Sequence, residues 1–188
     1  AGLFRQASGG RWEKILTGDV GAVALVGESN NQIYCINNKR LWWSGNGGQS
    51  WQRGSKSFQA YNPPLTSTGR YAVLAGNWNV LGHKDFGKSP HVMASGMKGN
   101  ADALAWGDSV SYAAFSYQKD GAYYAALWQG RQQNKSYTWR RLKAFASQAG
   151  TKGRVTALEL SKDIPATLWA AWFVPGAQST VYLSRDGG

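Results

Sequence analysis

The stretch LWWSGNGGQSWQRG, residues 41–54, sets two adjacent tryptophans beside a glycine-rich turn and a third tryptophan. In a hairpin, the side chains of Ser44 and Asn46 can accept hydrogen bonds from backbone amides of the turn, and glycine at position 48 tolerates a positive φ. Trp51 then returns beneath the hairpin, where its ring packs on the preceding strand and its indole N–H needs an acceptor. The stretch therefore predicts a self-stabilised turn between two β-strands.

Weaker copies of this turn recur along the chain. Trp12 and Trp51 lie 39 residues apart, and Trp51 and Trp139 lie 88 apart, which is about two periods. The repeated residues are Gly9 and Trp12 in 5–12; Ser44, Asn46, Gly48, Ser50 and Trp51 in 44–51; Asn134, Thr138 and Trp139 in 132–139; and Ser184, Asp186 and Gly188 in 184–188. A period of roughly forty residues is typical of the four-stranded blade of a β-propeller.

The turn resembles the Asp-box, the S-x-D-x-G-x-T-W hairpin of sialidases, sortilin-type receptors, photosystem II assembly factors, several glycoside hydrolases and propeller lectins. Asn46 stands in place of the Asp and Ser50 in place of the Thr. The resemblance implies a β-propeller in which the box lies at the periphery, away from the ligand site. We therefore expect structural roles for Ser44, Asn46, Gly48, Ser50, Trp51, Asn134, Thr138, Trp139, Ser184, Asp186 and Gly188.

Composition favours the same fold class. The chain has 188 residues with 24 glycines, 5 prolines and 13% aromatic residues, which indicates many short strands joined by tight turns. We expect a single all-β domain over 1–188, a β-propeller of about four to five four-stranded antiparallel blades or a fragment of a larger propeller. The approximate repeats are 10–54, 55–107, 108–150 and 151–188. Two arrangements stay open. Residues 10–16 supply the outer strand of the last blade and close the ring, or the chain is a fragment of a longer propeller whose exposed sheet edges favour self-association.

The charge balance favours acidic partners. The chain carries 21 Lys and Arg against 10 Asp and Glu, a net charge of +11, which attracts polyanions, acidic surfaces and anionic sugars. The candidate polyanion patch comprises Arg131, Lys135, Arg140, Arg141, Lys143 and Arg154. No apolar run approaches the ~18 residues of a membrane span, so none is predicted.

Neither a cofactor nor a metal is predicted. The single cysteine, Cys35, excludes an internal disulfide and fits an alternating strand pattern, which favours a buried structural thiol. His83, Asp85 and His91 lie near one another in the sequence, but their spacing matches no metal-ligand pair. We interpret that stretch as a solvated loop.

The favoured function is a non-catalytic binding propeller, with carbohydrate as a lectin-like ligand or with a protein ligand. Sugars pack on aromatic faces and accept hydrogen bonds from amide and guanidinium groups. The candidate ligand-binding aromatics are Trp42, Tyr61, Trp78, Trp106, Tyr117 and Trp128. For each of them, packing between blades is the competing interpretation. Secretion is compatible with this composition, and we expect a secreted or extracellular protein.

Two other functions stay open. An Asp-box glycoside hydrolase, or a sialidase-like fragment, would need two carboxylates or a tyrosine nucleophile with acidic partners, for which no catalytic residue is assigned. The free carboxylates are Glu28, Asp85, Asp102 and Asp108. A polyanion- or nucleic-acid-binding scaffold would instead bind in a manner that weakens steeply with salt.

Overall fold

A computed structural model of the chain describes residues 1–27, 31–58, 63–68, 72–76, 79–83, 91–107, 109–133, 136–146, 152–161 and 167–186. These ranges form seventeen β-strands and no helix. The strands are β1 (Gly2–Gln6), β2 (Trp12–Thr17), β3 (Val20–Val26), β4 (Gln32–Asn37), β5 (Arg40–Ser44), β6 (Gln52–Ser57), β7 (Leu65–Ser67), β8 (Ala72–Gly76), β9 (Asn79–His83), β10 (His91–Ala94), β11 (Asn100–Trp106), β12 (Val110–Lys119), β13 (Ala122–Gln133), β14 (Ser136–Ala146), β15 (Arg154–Leu160), β16 (Leu168–Phe173) and β17 (Thr180–Ser184).

The strands pair in chain order into five antiparallel meanders. Three sheets have four strands, β3–β6, β7–β10 and β11–β14, while β15–β17 has three and β1–β2 has two. Short turns suffice because each strand pairs with its neighbour along the chain. In the part of the chain that the structure describes, no residue belongs to a helix long and apolar enough to cross a membrane.

Each of the four larger sheets packs face to face on the next one along the chain. On β12, Tyr112 belongs to the apolar cluster shared with β15–β17, while the next residue, Ala113, belongs to the cluster shared with β7–β10. A third cluster joins β3–β6 to β7–β10 through Tyr34 and Leu74. Because successive side chains of a strand point to opposite faces, a central sheet must be apolar on both. This explains why β8 is buried at every position.

The hairpin β1–β2 is held by the turn that the sequence singled out. The indole N–H of Trp51 donates to the carbonyl oxygens of Ile15 on β2 (2.8 Å) and of Gly48 (3.1 Å), and the Arg5 guanidinium donates to Gly47 O (2.6 Å). Gly48 has a φ of 92°, and a Cβ there would lie 2.6 Å from Ile15 Cδ1. Glycine is therefore required both by the backbone conformation and by the approach of β2.

The turn copies occupy one corner of the sheets. The 44–51 turn joins β5 to β6, and the 132–139 stretch joins β13 to β14, so each lies between the third and fourth strands of its sheet. Trp139 donates its indole N–H to Met93 O on β10 (2.8 Å), the last strand of the preceding sheet, just as Trp51 does to β2. The strands β1 and β2 therefore hold the positions of a third and a fourth strand.

The sheet limits differ from the repeats expected at 10–54, 55–107, 108–150 and 151–188. The four larger sheets span residues 20–57, 65–94, 100–146 and 154–184, because β1–β2 forms a separate sheet ahead of them. Within the described ranges, residues 10–16, which one of the two alternatives placed as the outer strand of the last blade, pair through β2 with β1 and not with β17.

Candidate functional site

A cleft of about 1030 Å³ opens between the sheets β11–β14 and β15–β17. Its walls are the starts of the first strands, β11 and β15, together with the end of β12 and the start of β13. The charged and aromatic residues that line it are Asp102, Tyr117, Tyr123, Lys152, Arg154 and Phe173. The cleft thus combines aromatic rings, two cations and one carboxyl group.

A β-bulge places Asp102 in this cleft. The pairing of β11 with β12 shifts register between Ala101 and Ala103, so that Asp102 is an extra residue without a partner on β12. The first strand of the next sheet, β15, shifts between Val155 and Ala157, and its extra residue, Thr156, lines the same cleft. An extra residue bends the strand and re-aims its side chain, which is how bulges supply site residues.

The bulges correspond to a sequence pattern that the spacing of the tryptophans does not reveal. The stretches GAVAL (21–25), DALAW (102–106) and TALEL (156–160) each begin with the extra residue and continue with alanine and an alternating apolar strand. The three stretches occupy equivalent first strands, β3, β11 and β15. The extra residue is Gly21 in β3, Asp102 in β11 and Thr156 in β15, so Asp102 is the charged one of the three.

The carboxyl group of Asp102 is poised to change its charge near neutral pH. Its Oδ1 accepts a hydrogen bond from Ser116 Oγ (3.1 Å), whereas its Oδ2 is buried without a hydrogen-bond partner among the described residues. Burial raises the pKa of Asp102 from 3.8 to about 6, against the opposing effects of the Ser116 hydrogen bond and the Arg154 charge. An acceptor left unsatisfied in this way is costly unless a ligand or a proton satisfies it.

Arginine and lysine side chains contact the aromatic rings at the cleft end of β11–β14. Arg141 donates to the Tyr117 hydroxyl (2.5 Å), its guanidinium carbon lies 5.5 Å from the centroid of that ring, and Tyr117 stacks on Tyr124 at 5.4 Å. Lys152 Nζ lies 5.8 Å from the centroid of Tyr123. Across the described ranges, Arg5 and Glu13 form a salt bridge, whereas Lys152 and Arg154 form none with a described carboxylate. The charge of Arg154 nevertheless acts on Asp102.

Of the six predicted ligand-binding aromatics, the cleft contains Tyr117. Trp106 and Trp128 are half-buried and pack against the cluster between β7–β10 and β11–β14, and Trp106 also contacts Trp139 at 6.2 Å between ring centroids. Trp42 is half-buried on β5. The indole N–H groups of Trp42 and Trp128 are buried without an acceptor among the described residues. Tyr61 and Trp78 lie outside the described residues.

Of the predicted polyanion patch, Arg131, Arg140 and Lys143 lie on one face of β13–β14, and Arg141 lies on the other. Arg131 and Arg140 both donate to Gln129 Oε1, whereas Arg141 follows Arg140 directly on β14 and therefore projects from the opposite face. Lys143 Nζ lies 5.4 Å from the Phe145 ring centroid and 5.7 Å from that of Tyr182, and Arg154 lines the cleft. Lys135 lies outside the described residues.

The described residues of the turn copies line no part of the cleft, and several of them form hydrogen bonds that hold the turns. Ser44 Oγ accepts from Gly48 N–H (2.8 Å) and donates to Asn46 Oδ1 (3.0 Å), which also accepts from Ser50 N–H (3.0 Å). In the other copies Thr138 donates to Arg131 O (3.5 Å) and Ser184 to Asp186 Oδ1 (2.6 Å). Asn134 and Gly188 lie outside the described residues.

Metal and thiol chemistry find no support in the described ranges. They contain no group of three or more His, Cys, Asp and Glu side chains that could hold a metal ion. Cys35 is fully buried, and that burial raises its pKa to about 12, so its thiol stays protonated and unreactive. The other free carboxylates of the sequence, Glu28, Asp85 and Asp108, lie outside the described residues.

Comparison with solved structures gives the fold. The putative TolB from Agrobacterium tumefaciens superposes with a TM-score of 0.57 at 11% identity, over 95% of this chain and 63% of that one. The tricorn protease superposes with a TM-score of 0.53 at 14% identity, over 86% of this chain and 16% of that one. Both neighbours are β-propeller proteins. The chain has a β-propeller fold.

The fold-class prediction is confirmed, and the sheets are propeller blades. No protein-family model matches the chain, and no curated protein matches it. The chain spans less than two thirds of each of the two structures, and the likeness at this identity is one of fold. The fold alone does not determine the function, which depends on the residues of the cleft between the third and fourth of the larger blades.

Proposed function

We propose that this β-propeller is a non-catalytic binding module and that its ligand is a carbohydrate held in the cleft between two blades. The observation that carries the proposal is the meeting of aromatic rings, two cations and a buried carboxyl group at one cleft. Tyr123 offers an apolar ring face, while Asp102, Lys152 and Arg154 offer hydrogen-bonding groups. Sugars present this same mixture, an apolar ring face with hydroxyl groups around its edge.

The shape of the cleft supports an extended ligand. Pockets for small molecules typically enclose about 300–1,000 Å³, and this cleft holds about 1030 Å³ between two sheets. Asn100 and Gln118 add amide groups to the lining, which can donate to one hydroxyl oxygen and accept from another. A short oligosaccharide fits these dimensions and this lining better than a single compact molecule.

Arg154 and Lys152 favour an acidic sugar over a neutral one. A guanidinium group binds a carboxylate through two parallel hydrogen bonds, and neither cation forms a salt bridge with a described carboxylate. The net charge of +11 adds a long-range attraction for acidic glycans. Extracellular glycans carry such groups, so secretion is part of the proposal.

Binding is better supported than glycoside hydrolysis. Hydrolysis by the usual route needs two carboxyl groups about 5–9.5 Å apart, and among the described lining residues Asp102 supplies one. The role of Asp102 in the proposal is to accept hydrogen bonds from sugar hydroxyls once a ligand enters.

A glycan array on the purified chain tests the proposal, with heparin and oligonucleotides as controls and with each binding repeated at low and high salt. We expect binding to defined acidic oligosaccharides that weakens with salt but is not abolished, because the aromatic contacts do not depend on charge. Tyr123→Ala should lose this binding, and Trp169→Ala should retain it. Trp169 is a matched control because it is an exposed aromatic residue, 44% accessible, outside the cleft.

Two results would overturn the carbohydrate proposal. The first is binding restricted to heparin and oligonucleotides and lost in salt, which would support the polyanion scaffold instead. The second is glycan binding that both variants lose equally, because the cleft would then not be the site.

A further inference from the structure

A second charged arrangement lies at the opposite end of the blade β11–β14. The cleft contains the end of β12, whereas Tyr112, Gln129 and Arg140 face one another across β12, β13 and β14 near the start of β12. From Tyr112 to Tyr117 the strand covers about 16 Å at ~3.3 Å per residue. The two arrangements therefore do not share a ligand-binding volume.

Gln129 is the fixed point of this arrangement. Its side chain is 1% exposed, and its Nε2 donates to the hydroxyl of Tyr112 (3.0 Å), which is itself fully buried. That hydrogen bond fixes the orientation of the amide, so Oε1 must face the other way. A buried amide held from behind is a rigid acceptor.

Both neighbouring arginines donate to this one oxygen. Arg140 Nε lies 2.9 Å from Gln129 Oε1 and Arg131 Nε lies 3.4 Å from it. Arg131 is two residues from Gln129 on β13, and Arg140 lies directly opposite Gln129 on β14, so all three side chains share a face of the sheet. The register of the blade therefore brings both guanidinium groups to the same acceptor, Gln129 Oε1.

The convergence is electrostatically unfavourable as it stands. The two like charges repel, and neither arginine forms an ion pair with a described residue. Each uses its Nε–H for Gln129, and each remains solvent-exposed with its terminal amino groups still available as donors. A bound anion would satisfy these donors and remove the repulsion.

We propose that Arg131 and Arg140, positioned by Gln129 and Tyr112, form a binding site for one oxyanion group, a sulfate, phosphate or carboxylate. Planar guanidinium forks bind such groups through paired hydrogen bonds. The site takes a single group rather than a nucleic-acid backbone, because successive phosphates need cations spread along one face. Here Arg141 projects from the other face of the blade, and Lys143 packs over Phe145 and Tyr182.

An NMR titration of the full chain tests the site, with sodium sulfate, sodium phosphate and sodium acetate added separately at low ionic strength. The Nε–H signals of Arg131 and Arg140 are the readout. We expect both signals to shift together and to saturate with at least one of the three anions. The relative affinities then tell a tetrahedral from a planar oxyanion.

The variant Gln129→Glu gives the sharpest check because it retains both arginines. It puts a carboxylate where Oε1 lies, so the arginines are neutralised from within, and we expect anion affinity to fall about tenfold or more. Arg140→Gln should weaken binding to a similar extent. Arg53→Gln is the matched control, since Arg53 is exposed on β6 of another blade and carries the same charge.

Several outcomes would overturn the site. Signals that do not saturate, or that weaken equally in Arg53→Gln and Arg140→Gln, would show general charge attraction. If Gln129→Glu fails to fold, as judged by circular dichroism, the Arg140→Gln and Arg53→Gln pair decides. Tyr123→Ala should leave anion binding intact, so failure of the oxyanion site and failure of the carbohydrate cleft are separately observable.

Discussion

Polar groups are paired by hydrogen bonds in the 44–51 corner, whereas at the cleft end of β11–β14 a buried polar group lacks a described partner. In the corner, Ser44 Oγ accepts from Gly48 N–H at 2.8 Å, and the Trp51 indole N–H donates to Ile15 O at 2.8 Å. In the cleft, Asp102 Oδ2 is buried with no hydrogen-bond partner among the described residues, and Arg154 forms no ion pair there. A corner that satisfies its own groups stabilises the fold, whereas a cleft that leaves them unsatisfied is suited to a ligand.

The largest expected effect is the loss of stability in Trp51→Ala. The ring is half-buried and its N–H joins the turn to β2, so truncation removes apolar contact and two hydrogen bonds. We expect the free energy of unfolding to fall by about 3 kcal/mol in urea denaturation. Glycan binding by the folded fraction should be unchanged.

Trp169→Ala is the comparison for Trp51→Ala, because it deletes the same side chain from an exposed position. We expect its cost to stay below about 1 kcal/mol. Equal costs for the two variants would contradict a special role for the corner. Faster amide hydrogen exchange in β1–β2 of Trp51→Ala would show that the hairpin is released.

The next effect concerns the pH dependence of stability at Asp102. Burial raises its pKa from 3.8 to about 6, so the folded state binds this proton more tightly than the unfolded chain. The resulting stabilisation is complete below about pH 4 and is lost as the pH rises through about 6. We therefore expect Asp102→Asn to be more stable than the wild type at pH 7.5 by roughly 2 kcal/mol, and similar to it at pH 4.

Thermal unfolding between pH 4 and 7.5 measures this difference. Ser116→Ala sharpens it, because losing the Ser116 hydrogen bond removes an effect that lowers the pKa of Asp102. That variant should lose stability at a higher pH than the wild type. Parallel pH profiles for wild type and Asp102→Asn would mean that the carboxyl group is not desolvated in the folded protein.

The sequence predicted the corner well because most of its contacts are local. Ser44, Asn46, Gly48 and Ser50 lie within seven consecutive residues, and turn chemistry alone connects them. The acceptor of the Trp51 indole N–H was not predicted. That N–H donates to Ile15 O on β2, 36 residues away, and no local pattern encodes that distance.

The cleft could not be predicted in the same way because strand pairing assembles it. Asp102 meets Ser116 across 14 residues, and Arg154 comes from the next blade. The cleft also depends on the bulge at Asp102, which becomes visible when DALAW is compared with GAVAL and TALEL. The alternation of faces likewise divides Arg140 from Arg141, although the two are adjacent in the sequence.

The smallest effect compares two serines at the same position of the turn. Ser44 is fully buried, and its Oγ accepts the Gly48 N–H, so Ser44→Ala leaves a buried donor unsatisfied and should cost about 1 kcal/mol. Ser184 is half-exposed at the end of β17 and donates to Asp186 at 2.6 Å.

Water can replace the lost partner at Ser184, so Ser184→Ala should cost no more than ~0.5 kcal/mol. Urea denaturation of the two variants side by side measures the difference. Equal losses would mean that the hydrogen bonds of the turn act alike at both sites. A greater loss at Ser44 would mean that burial beneath β2 determines the stabilisation, because both turns share the leading Ser and the Asx residue and differ in what packs over them.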